Sequence, residues 1–242
     1  MLTFAIVHYN TPELTKCLCG SIRKWHPESY IIIFDNSDAR IFDKEFCDEY
    51  YDNTSSKIID FSSSFEKYPK RNIKLQAESG CNFGSAKHSM SIDWLCKEIR
   101  DDFVLLDSDV LIRKPIDFID RDFICVSDTI RIKAGLDRIS PMLAYINGKK
   151  MCDLNIDFFD GSRMHGLCDV NSKYLYYDTG ASFLEDISKL NLFKKFNTES
   201  YYLHYGNGSW RKNGKVSYSP DGKCYQNISF KEWLLINKEL WT

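Results

Sequence analysis

The sequence predicts an α/β fold in which a mostly parallel sheet is flanked by helices. Between residues 1 and 110, short apolar runs typical of buried strands alternate with segments whose apolar residues recur at helical spacing. Parallel strands need a long crossover between them, and a helix is the usual crossover. A chain of 242 residues is long enough for a substantial core. We therefore expect a parallel, doubly wound sheet.

Cap and turn residues delimit the elements of the first half. Residues 3–8 form the first predicted strand. Thr11-Pro12 opens the first helix, because Thr is a good N-cap and Pro is tolerated at the first helical position. The further predicted elements, in chain order, are strands over 30–34 and 57–61, a helix over 84–99 and a strand that ends at 107.

The pattern changes after Pro115. Ser229 and Glu232 match a capping box, which predicts a final helix that starts there. Strands are predicted over 123–127, 173–177 and 201–205.

The remaining residues suggest how the chain is organised. Residues 130–172 are rich in Gly, Asp and Asn, so we expect them to be irregular and to form a substrate-binding segment. We treat the chain as one domain, with a nucleotide-binding half over 1–115 and an acceptor-binding half of mixed structure over 116–242.

Composition and charge narrow the class of protein. The net charge is −2 and no long basic block is present, so we expect no nucleic-acid partner. No segment approaches the roughly 20 apolar residues that span a bilayer, and no signal peptide is evident. Nine cysteines without a Cys-x-x-Cys pair predict reduced thiols in a cytoplasmic protein and argue against a zinc site.

Residues 103–109 read Phe-Val-Leu-Leu-Asp-Ser-Asp, an apolar run that stops at two carboxylates. Because side chains alternate along a strand, Asp107 and Asp109 are predicted to point the same way. Two carboxylates about 5 Å apart repel by about 3 kcal/mol at an effective dielectric near 20. A divalent cation would offset that repulsion and attract a diphosphate. The alternative is a strand followed by an ordinary polar turn.

Three strand ends carry polar groups, and the carboxyl ends of parallel strands meet at one edge of a sheet. They are His8-Tyr9-Asn10, Asp35-Asn36-Ser37 and Asp107-Ser108-Asp109. In this order and spacing they resemble the signatures of GT-A glycosyltransferases, especially family-2-like members. The first strand of those enzymes typically ends in Tyr-Asn before Thr-Pro-Glu-Leu or similar, the second in Asp-Asn-Ser, and Asp-x-Asp follows. The resemblance covers the first 115 residues well and the remainder loosely.

The resemblance implies a GT-A type, Rossmann-like fold and a nucleotide-diphosphate sugar donor, with UDP expected. It implies that Asp35 accepts a hydrogen bond from the base or ribose, and that Asp109 binds Mn²⁺ or Mg²⁺. Asp107 would bind the ribose, or the cation through water. The other residues expected on the donor side are His8, Tyr9, Asn10, Lys87, His88 and Ser108.

Residues 203–210, Leu-His-Tyr-Gly-Asn-Gly-Ser-Trp, look similar to the His-Tyr-x-Gly segment of retaining family-8 enzymes. Imidazole is a suitable ligand for Mn²⁺, so His204 is the expected third metal ligand and Trp210 is expected to stack on a sugar. An inverting transfer needs a carboxylate base near the metal. Asp178 is the first candidate, with Asp169 and Asp128 as rivals, and the stereochemistry stays open.

These features together predict a metal-dependent glycosyltransferase that acts on a glycan or a lipid-linked acceptor hydroxyl, and the family resemblance implies polysaccharide biosynthesis as the context. Peripheral contact with the cytosolic face of a membrane is compatible with such an acceptor, and the sequence does not define the oligomeric state. Two alternatives stay open. A haloacid-dehalogenase-like phosphatase also uses Asp-x-Asp after an apolar strand, with the first Asp as nucleophile. The other is a sugar- or nucleotide-binding module without catalytic activity.

Overall fold

A computed structural model describes residues 1–65, 83–131, 137–159, 179–205 and 228–242. The fold is mixed α/β with mostly parallel strand pairing and flanking helices, as predicted. The chain divides into two compact units, and each is built from separate stretches of sequence. The first unit comprises Met1–Lys57, Phe103–Ile119 and Asn197–Thr242, and the second comprises Ile58–Asp102 and Asp120–Phe196. This division does not follow a boundary at residue 115.

The first unit contains parallel strands in the order β3-β2-β1-β4. Their bounds are Thr3–His8 for β1, Tyr30–Asp35 for β2, Glu49–Asp52 for β3 and Asp102–Asp107 for β4. In the register, His8 lies beside Asp35 on one side of β1, and Val7 lies beside Asp107 on the other. The chain adds strands on one side of β1 and then crosses to the other side to form β4. This reversal of strand order is a topological switch point.

Helix α1, Pro12–Trp25, makes the crossover from β1 to β2. Its apolar stripe is buried at Leu14, Leu18 and Ile22, which recur at helical spacing. Arg23 and Lys24 occupy its last turn, where positive charge complements the helix dipole. The helix thus starts at the carboxyl end of β1 and sets the position of residues 9–11.

A second, smaller sheet completes the first unit. Strand β5, Val110–Ile112, pairs antiparallel with β9, Tyr202–His204. The capping box at Ser229 and Glu232 is present in both directions and opens the C-terminal helix α6, Phe230–Ile236. Six buried residues join α1, this sheet and α6 into one apolar cluster: Leu14, Cys17, Leu111, Tyr205, Trp233 and Leu234.

The second unit is built around β6, Cys125–Arg131. It pairs antiparallel with β7, Asp137–Asn147, and parallel with β8, Phe193–Lys195. The helices of this unit are α2 (Phe61–Phe65), α3 (Phe83–Ile99), α4 (Gly148–Leu154) and α5 (Ala181–Lys189). Short 3₁₀ helices elsewhere in the described chain cover Lys44–Phe46, Thr54–Ser56, Glu199–Tyr201 and Lys238–Leu240.

Two predicted assignments are wrong. Residues 57–61 do not form the third strand, which lies earlier, at β3. The Asp60 carboxylate accepts hydrogen bonds from the Ser63 amide at 3.1 Å and the Ser63 hydroxyl at 2.5 Å, so the chain turns there and enters α2. The segment 130–172 is not irregular throughout, because β7 and α4 lie within it.

The described cysteines are free thiols, and most of them are buried, as the reduced state predicts. The buried ones are Cys17, Cys19, Cys96 and Cys125. Among the helices of the described residues, none is both long enough and apolar enough to cross a bilayer.

Replacing Trp233 by Ala tests the apolar cluster of the first unit. Trp233 is only 1% exposed, and its ring lies 5.3 Å from that of Tyr205. We expect Trp233→Ala to lower the free energy of unfolding by about 3–5 kcal/mol, because it leaves a cavity in a packed core. Leu235→Ala is the matched control on the same helix: Leu235 is 70% exposed, so a cost under about 0.5 kcal/mol is expected. Urea denaturation measures both, and equal costs would contradict the packing.

Candidate functional site

The switch point between β1 and β4 is where an open α/β sheet offers a crevice for a ligand, outside the carboxyl ends of its strands. Two buried hydroxyls meet there: Thr11 Oγ1 and Ser108 Oγ lie 3.0 Å apart. Thr11 occupies the N-cap position of α1, as predicted, but its side chain makes no cap hydrogen bond. The hydroxyl is used instead to tie the end of β1 to the turn after β4.

The Asp-Ser-Asp segment is divided between a strand and a turn. Asp107 is the last residue of β4, whereas Ser108 and Asp109 form the turn that leads into β5. Alternation along one strand therefore does not govern the direction of the Asp109 side chain. Asp107 is half-buried and Asp109 is only 8% exposed.

The structure brings together two of the three predicted metal ligands. The Nε2 atom of His204 lies 3.2 Å from Oδ1 of Asp109, and both side chains are largely buried. The pair is fixed by the backbone, because His204 sits opposite Val110 in the antiparallel register of β5 and β9. The Tyr205 amide also donates a hydrogen bond to the Asp109 carbonyl at 2.9 Å. Asp109 and His204, which are far apart in sequence, thus come together within the first unit.

A carboxylate beside an imidazole is a donor set that suits Mn²⁺, and the carboxylate also suits Mg²⁺. Within the described ranges, no group of three or more His, Cys, Asp or Glu side chains is arranged to hold a metal ion. Asp109 and His204 would therefore form a partial set, with further ligands from a phosphate, from water or from other residues. The donor chemistry fits a divalent cation that a diphosphate helps to hold.

Asp35, predicted to contact a nucleotide, is fully buried at the end of β2. Its Oδ1 accepts a hydrogen bond from the Ser37 amide at 2.8 Å, and its Oδ2 accepts one from the Tyr50 hydroxyl at 2.5 Å. Burial raises the pKa of Tyr50 and the hydrogen bond to Asp35 raises it further, so the phenol stays a donor. One carboxylate oxygen therefore holds the loop after β2, and the other ties β2 to β3.

His8, predicted to line the base pocket, is also fully buried. Its Nδ1 lies 2.8 Å from Thr15 Oγ1, and its Nε2 lies 4.0 Å from Asp35 Oδ1. Burial lowers the pKa of His8 to about 4, against the opposing attraction of Asp35. The imidazole is thus neutral near pH 7 and connects β1 to α1 and β2.

Tyr9 and Asn10 lie in the loop after β1 and are joined to the loop after β2 by Asp38. The Tyr9 hydroxyl lies 3.2 Å from both carboxylate oxygens of Asp38. Asn10 donates from Nδ2 to Asp38 Oδ2 at 2.8 Å and accepts from the Asp38 amide at 3.2 Å. Asn10 adopts a left-handed backbone conformation, φ 53°, which Asn tolerates better than most residues. Its amide donates to Ser37 Oγ at 2.9 Å, so the two loops form one polar edge.

Four residues of this edge were not among the predicted site residues: Thr11, Ser37, Asp38 and Tyr50. Ser37 belongs to a predicted motif, and Thr11 and Asp38 each follow directly on one, so their neighbourhood could have been found in the sequence. Tyr50 could not have been found in this way, because it lies on β3, whose Glu-Tyr-Tyr-Asp sequence has no apolar run. Its ring stacks on Phe42, with centroids 6.2 Å apart.

The other predicted site residues fall elsewhere. Lys87 and His88 are on α3, in the second unit, where Lys87 Nζ lies 5.3 Å from the Phe61 ring centroid. His88 Nδ1 lies 3.5 Å from Thr179 Oγ1. The predicted base Asp178 and the predicted sugar-stacking Trp210 lie outside the described residues, as does the rival base Asp169.

The second unit contains a cavity of about 490 Å³ between α3 and α4, and none of the predicted site residues lines it. One side holds an ion pair, Lys97 Nζ to Asp157 Oδ1 at 3.2 Å. The Asp93 carboxylate accepts hydrogen bonds from the amides of Phe158 and Phe159, and burial raises its pKa to about 7. These contacts anchor the segment after α4, and such a structural role accounts for the buried carboxylate.

No family model matches the sequence, and no curated protein matches it. Among solved structures, the glycosyltransferase GlyE of Streptococcus pneumoniae TIGR4 is 13% identical, with 81% of this chain and 45% of GlyE covered and a TM-score of 0.45. The galactosyltransferase LgtC, in complex with donor and acceptor sugar analogs, is 12% identical over 81% of this chain and 74% of LgtC, with a TM-score of 0.41. TarS of S. aureus is 12% identical over 84% of this chain and 36% of TarS, with a TM-score of 0.41. The chain spans under half the length of GlyE. The sequence identities and TM-scores of these three structures are too low to imply a shared function.

The buried His8 makes a pH-dependent contribution to stability. Unfolded His8 takes up a proton near its ordinary pKa of 6.5, whereas the folded residue does so only near pH 4. The unfolded state therefore binds more protons between these values, and stability falls on acidification, by about 3 kcal/mol from this group. We expect His8→Asn, which retains a partner for Thr15, to remove this contribution from the slope of the free energy of unfolding against pH. Urea denaturation between pH 7 and pH 4 measures that slope. Thr15→Val should lower stability but leave the slope intact; an unchanged slope in His8→Asn would contradict the assignment.

Tyr50→Phe tests the network around Asp35. The substitution removes the hydroxyl that donates to Oδ2 and leaves a buried carboxylate with one partner fewer. We expect a loss of about 1–3 kcal/mol in the free energy of unfolding, measured by urea denaturation. Tyr51→Phe is the control on the neighbouring position of β3, where the hydroxyl bonds to Glu49. A cost no larger than that of the control would show that Asp35 does not depend on Tyr50.

Proposed function

We propose that this protein is a metal-dependent glycosyltransferase that moves a sugar from a nucleotide-diphosphate donor, with UDP preferred, to a hydroxyl of a glycan or lipid-linked acceptor. One observation carries the proposal. The Asp109 carboxylate, in the turn that follows β4 at the switch point of a parallel sheet, comes within 3.2 Å of the imidazole of His204 on β9. Anionic and metal-binding groups at such an edge are suited to a nucleotide ligand.

Asp109 and His204 are the residues proposed to hold Mn²⁺ or Mg²⁺. When bound, the cation would supply positive charge against the charge that develops on the departing diphosphate. The protein contributes a rigid, largely buried pair whose positions are set by backbone pairing of β5 with β9. Because the pair is already in place, little reorganisation would be needed as charge develops in the reaction.

The nucleoside is proposed to bind along the polar edge formed by Tyr9, Asn10 and the loop after β2. Thr11 and Ser108, joined at 3.0 Å, hold the ends of β1 and β4 together beside it. Asp107 ends β4 next to Val7 and is proposed to face the ribose, or to reach the cation through water. In this proposal the edge would offer acceptors for hydroxyl and N–H donors at one end and cation ligands at the other.

For the transfer step, a carboxylate must accept the proton of the acceptor hydroxyl if the reaction inverts configuration. Asp178 is the proposed base and Trp210 the proposed sugar contact, on the strength of their sequence context alone. A role in polysaccharide biosynthesis, with peripheral contact to a membrane that carries the acceptor, is part of the same proposal.

The position of the Asp-x-Asp segment disfavours the phosphatase alternative. In a haloacid-dehalogenase-like enzyme the nucleophilic Asp ends the first strand of the core, whereas Asp107 ends β4 here. This late position of the motif favours nucleotide-sugar binding over a phosphoryl-aspartate mechanism.

Melting temperatures with nucleoside diphosphates, with and without Mn²⁺, test the proposal. We expect UDP to raise the melting temperature of the wild type only when Mn²⁺ is present, since a ligand at 100 times its Kd stabilises by about 2.7 kcal/mol. Asp109→Asn should abolish the metal-dependent part. Asp153→Asn, an exposed acid paired with Lys149, is the matched control and should behave as wild type. An undiminished metal-dependent shift in Asp109→Asn would rule out the proposed ligand.

A further inference from the structure

We propose that Asp38 is the carboxylate that recognises the nucleoside, by accepting a hydrogen bond from a donor group on its ribose or its base. The proposal rests on the proposed function and assigns to Asp38 the contact that the sequence motif assigns to Asp35. It follows from the different surroundings of two acids three positions apart, Asp35 at the end of β2 and Asp38 in the loop after it.

Asp35 cannot easily reach a ligand. It is fully buried, and each of its oxygens already accepts a hydrogen bond, from Ser37 and from Tyr50. The neutral His8 ring lies 4.0 Å away on its other side. Turning this carboxylate outward would leave the Tyr50 hydroxyl without its acceptor, which is costly in a buried site.

Asp38, in contrast, is exposed and sits at the carboxyl edge of the sheet. Tyr9 and Asn10 hold it from the loop after β1, with the Asn10 side chain donating at 2.8 Å and the Tyr9 hydroxyl at 3.2 Å. Burial and the neighbouring carboxylate raise the pKa of Tyr9, so its hydroxyl remains a donor and keeps Asp38 in place. The carboxylate is therefore oriented before any ligand arrives.

An ionised carboxylate accepts about four hydrogen bonds, and the two neighbours do not exhaust that capacity. Its remaining lone pairs can accept hydrogen bonds from N–H or O–H groups of a ligand. A nucleoside offers such donors in two places: the ribose hydroxyls, and a ring N–H when the base is uracil. Carboxylates are known to bind ribose hydroxyls at the edges of doubly wound sheets. In both cases a neutral hydrogen-bond donor of the nucleoside meets a carboxylate whose orientation is already fixed.

Calorimetric titration of Asp38→Asn with UDP in the presence of Mn²⁺ tests the assignment. Asn keeps an oxygen for Tyr9 and Asn10 but removes the charge, so we expect Kd to rise about tenfold or more at an unchanged melting temperature. Asp43→Asn is the matched control, because Asp43 is an exposed acid between β2 and β3 whose carboxylate accepts a hydrogen bond from the Glu45 amide. It should bind as wild type.

Two further ligands distinguish the donor groups. If a ribose hydroxyl is the donor, wild type and Asp38→Asn should bind 2′,3′-dideoxy-UDP equally; if the ring N–H is the donor, they should bind CDP equally. The proposal is overturned if Asp38→Asn binds UDP within twofold of wild type, or if it weakens all three ligands to the same extent. Failure of the wild type to bind any nucleoside diphosphate would overturn the proposed function as well. UDP binding by the wild type that Asp38→Asn leaves intact would overturn this assignment alone.

Discussion

Parallel pairing of β1 with two neighbours is the constraint on which the candidate site depends. Because β1 lies between β2 and β4, the polar residues that end these three strands must emerge at one edge. The register places Asp35 beside His8 and Asp107 beside Val7, so the two acids are two strand spacings apart, about 10 Å. A slip of one residue in either pairing would turn every side chain of a strand to the other face and dismantle the edge.

The buried polar groups at this edge form a supporting layer rather than a binding surface. The Nδ1 atom of His8 is held by Thr15, and the two carboxylate oxygens of Asp35 are held by Ser37 and Tyr50. Such groups are costly if left unpaired, and once paired they fix the loops above them. The half-buried Tyr9 and the exposed Asn10 and Asp38 lie on these fixed loops, so they can present donors and acceptors with little further loss of conformational freedom.

Sequence patterns located the strands and their polar ends because apolar runs and cap residues are local signals. Residues 3–8 and the capping box at Ser229 are both found where expected. The pattern failed where structure is decided by distant contacts. The third strand has no apolar run, and it carries Tyr50, which donates a hydrogen bond to the buried Asp35. Alternation suggested one face for Asp107 and Asp109, yet the chain turns between them.

The pairing of Asp109 with His204 also depends on contacts between residues that are far apart in sequence. Both residues border the small sheet of β5 and β9, and the Tyr205 amide holds the Asp109 carbonyl. Leu111 and Tyr205, which flank the pair in sequence, are buried in the same apolar cluster as Trp233 on α6. The C-terminal helix therefore helps to fix the position of the two proposed metal ligands through this cluster. Loosening that helix should weaken the cation site before it disturbs the parallel strands, because β1 and β2 lie outside the cluster.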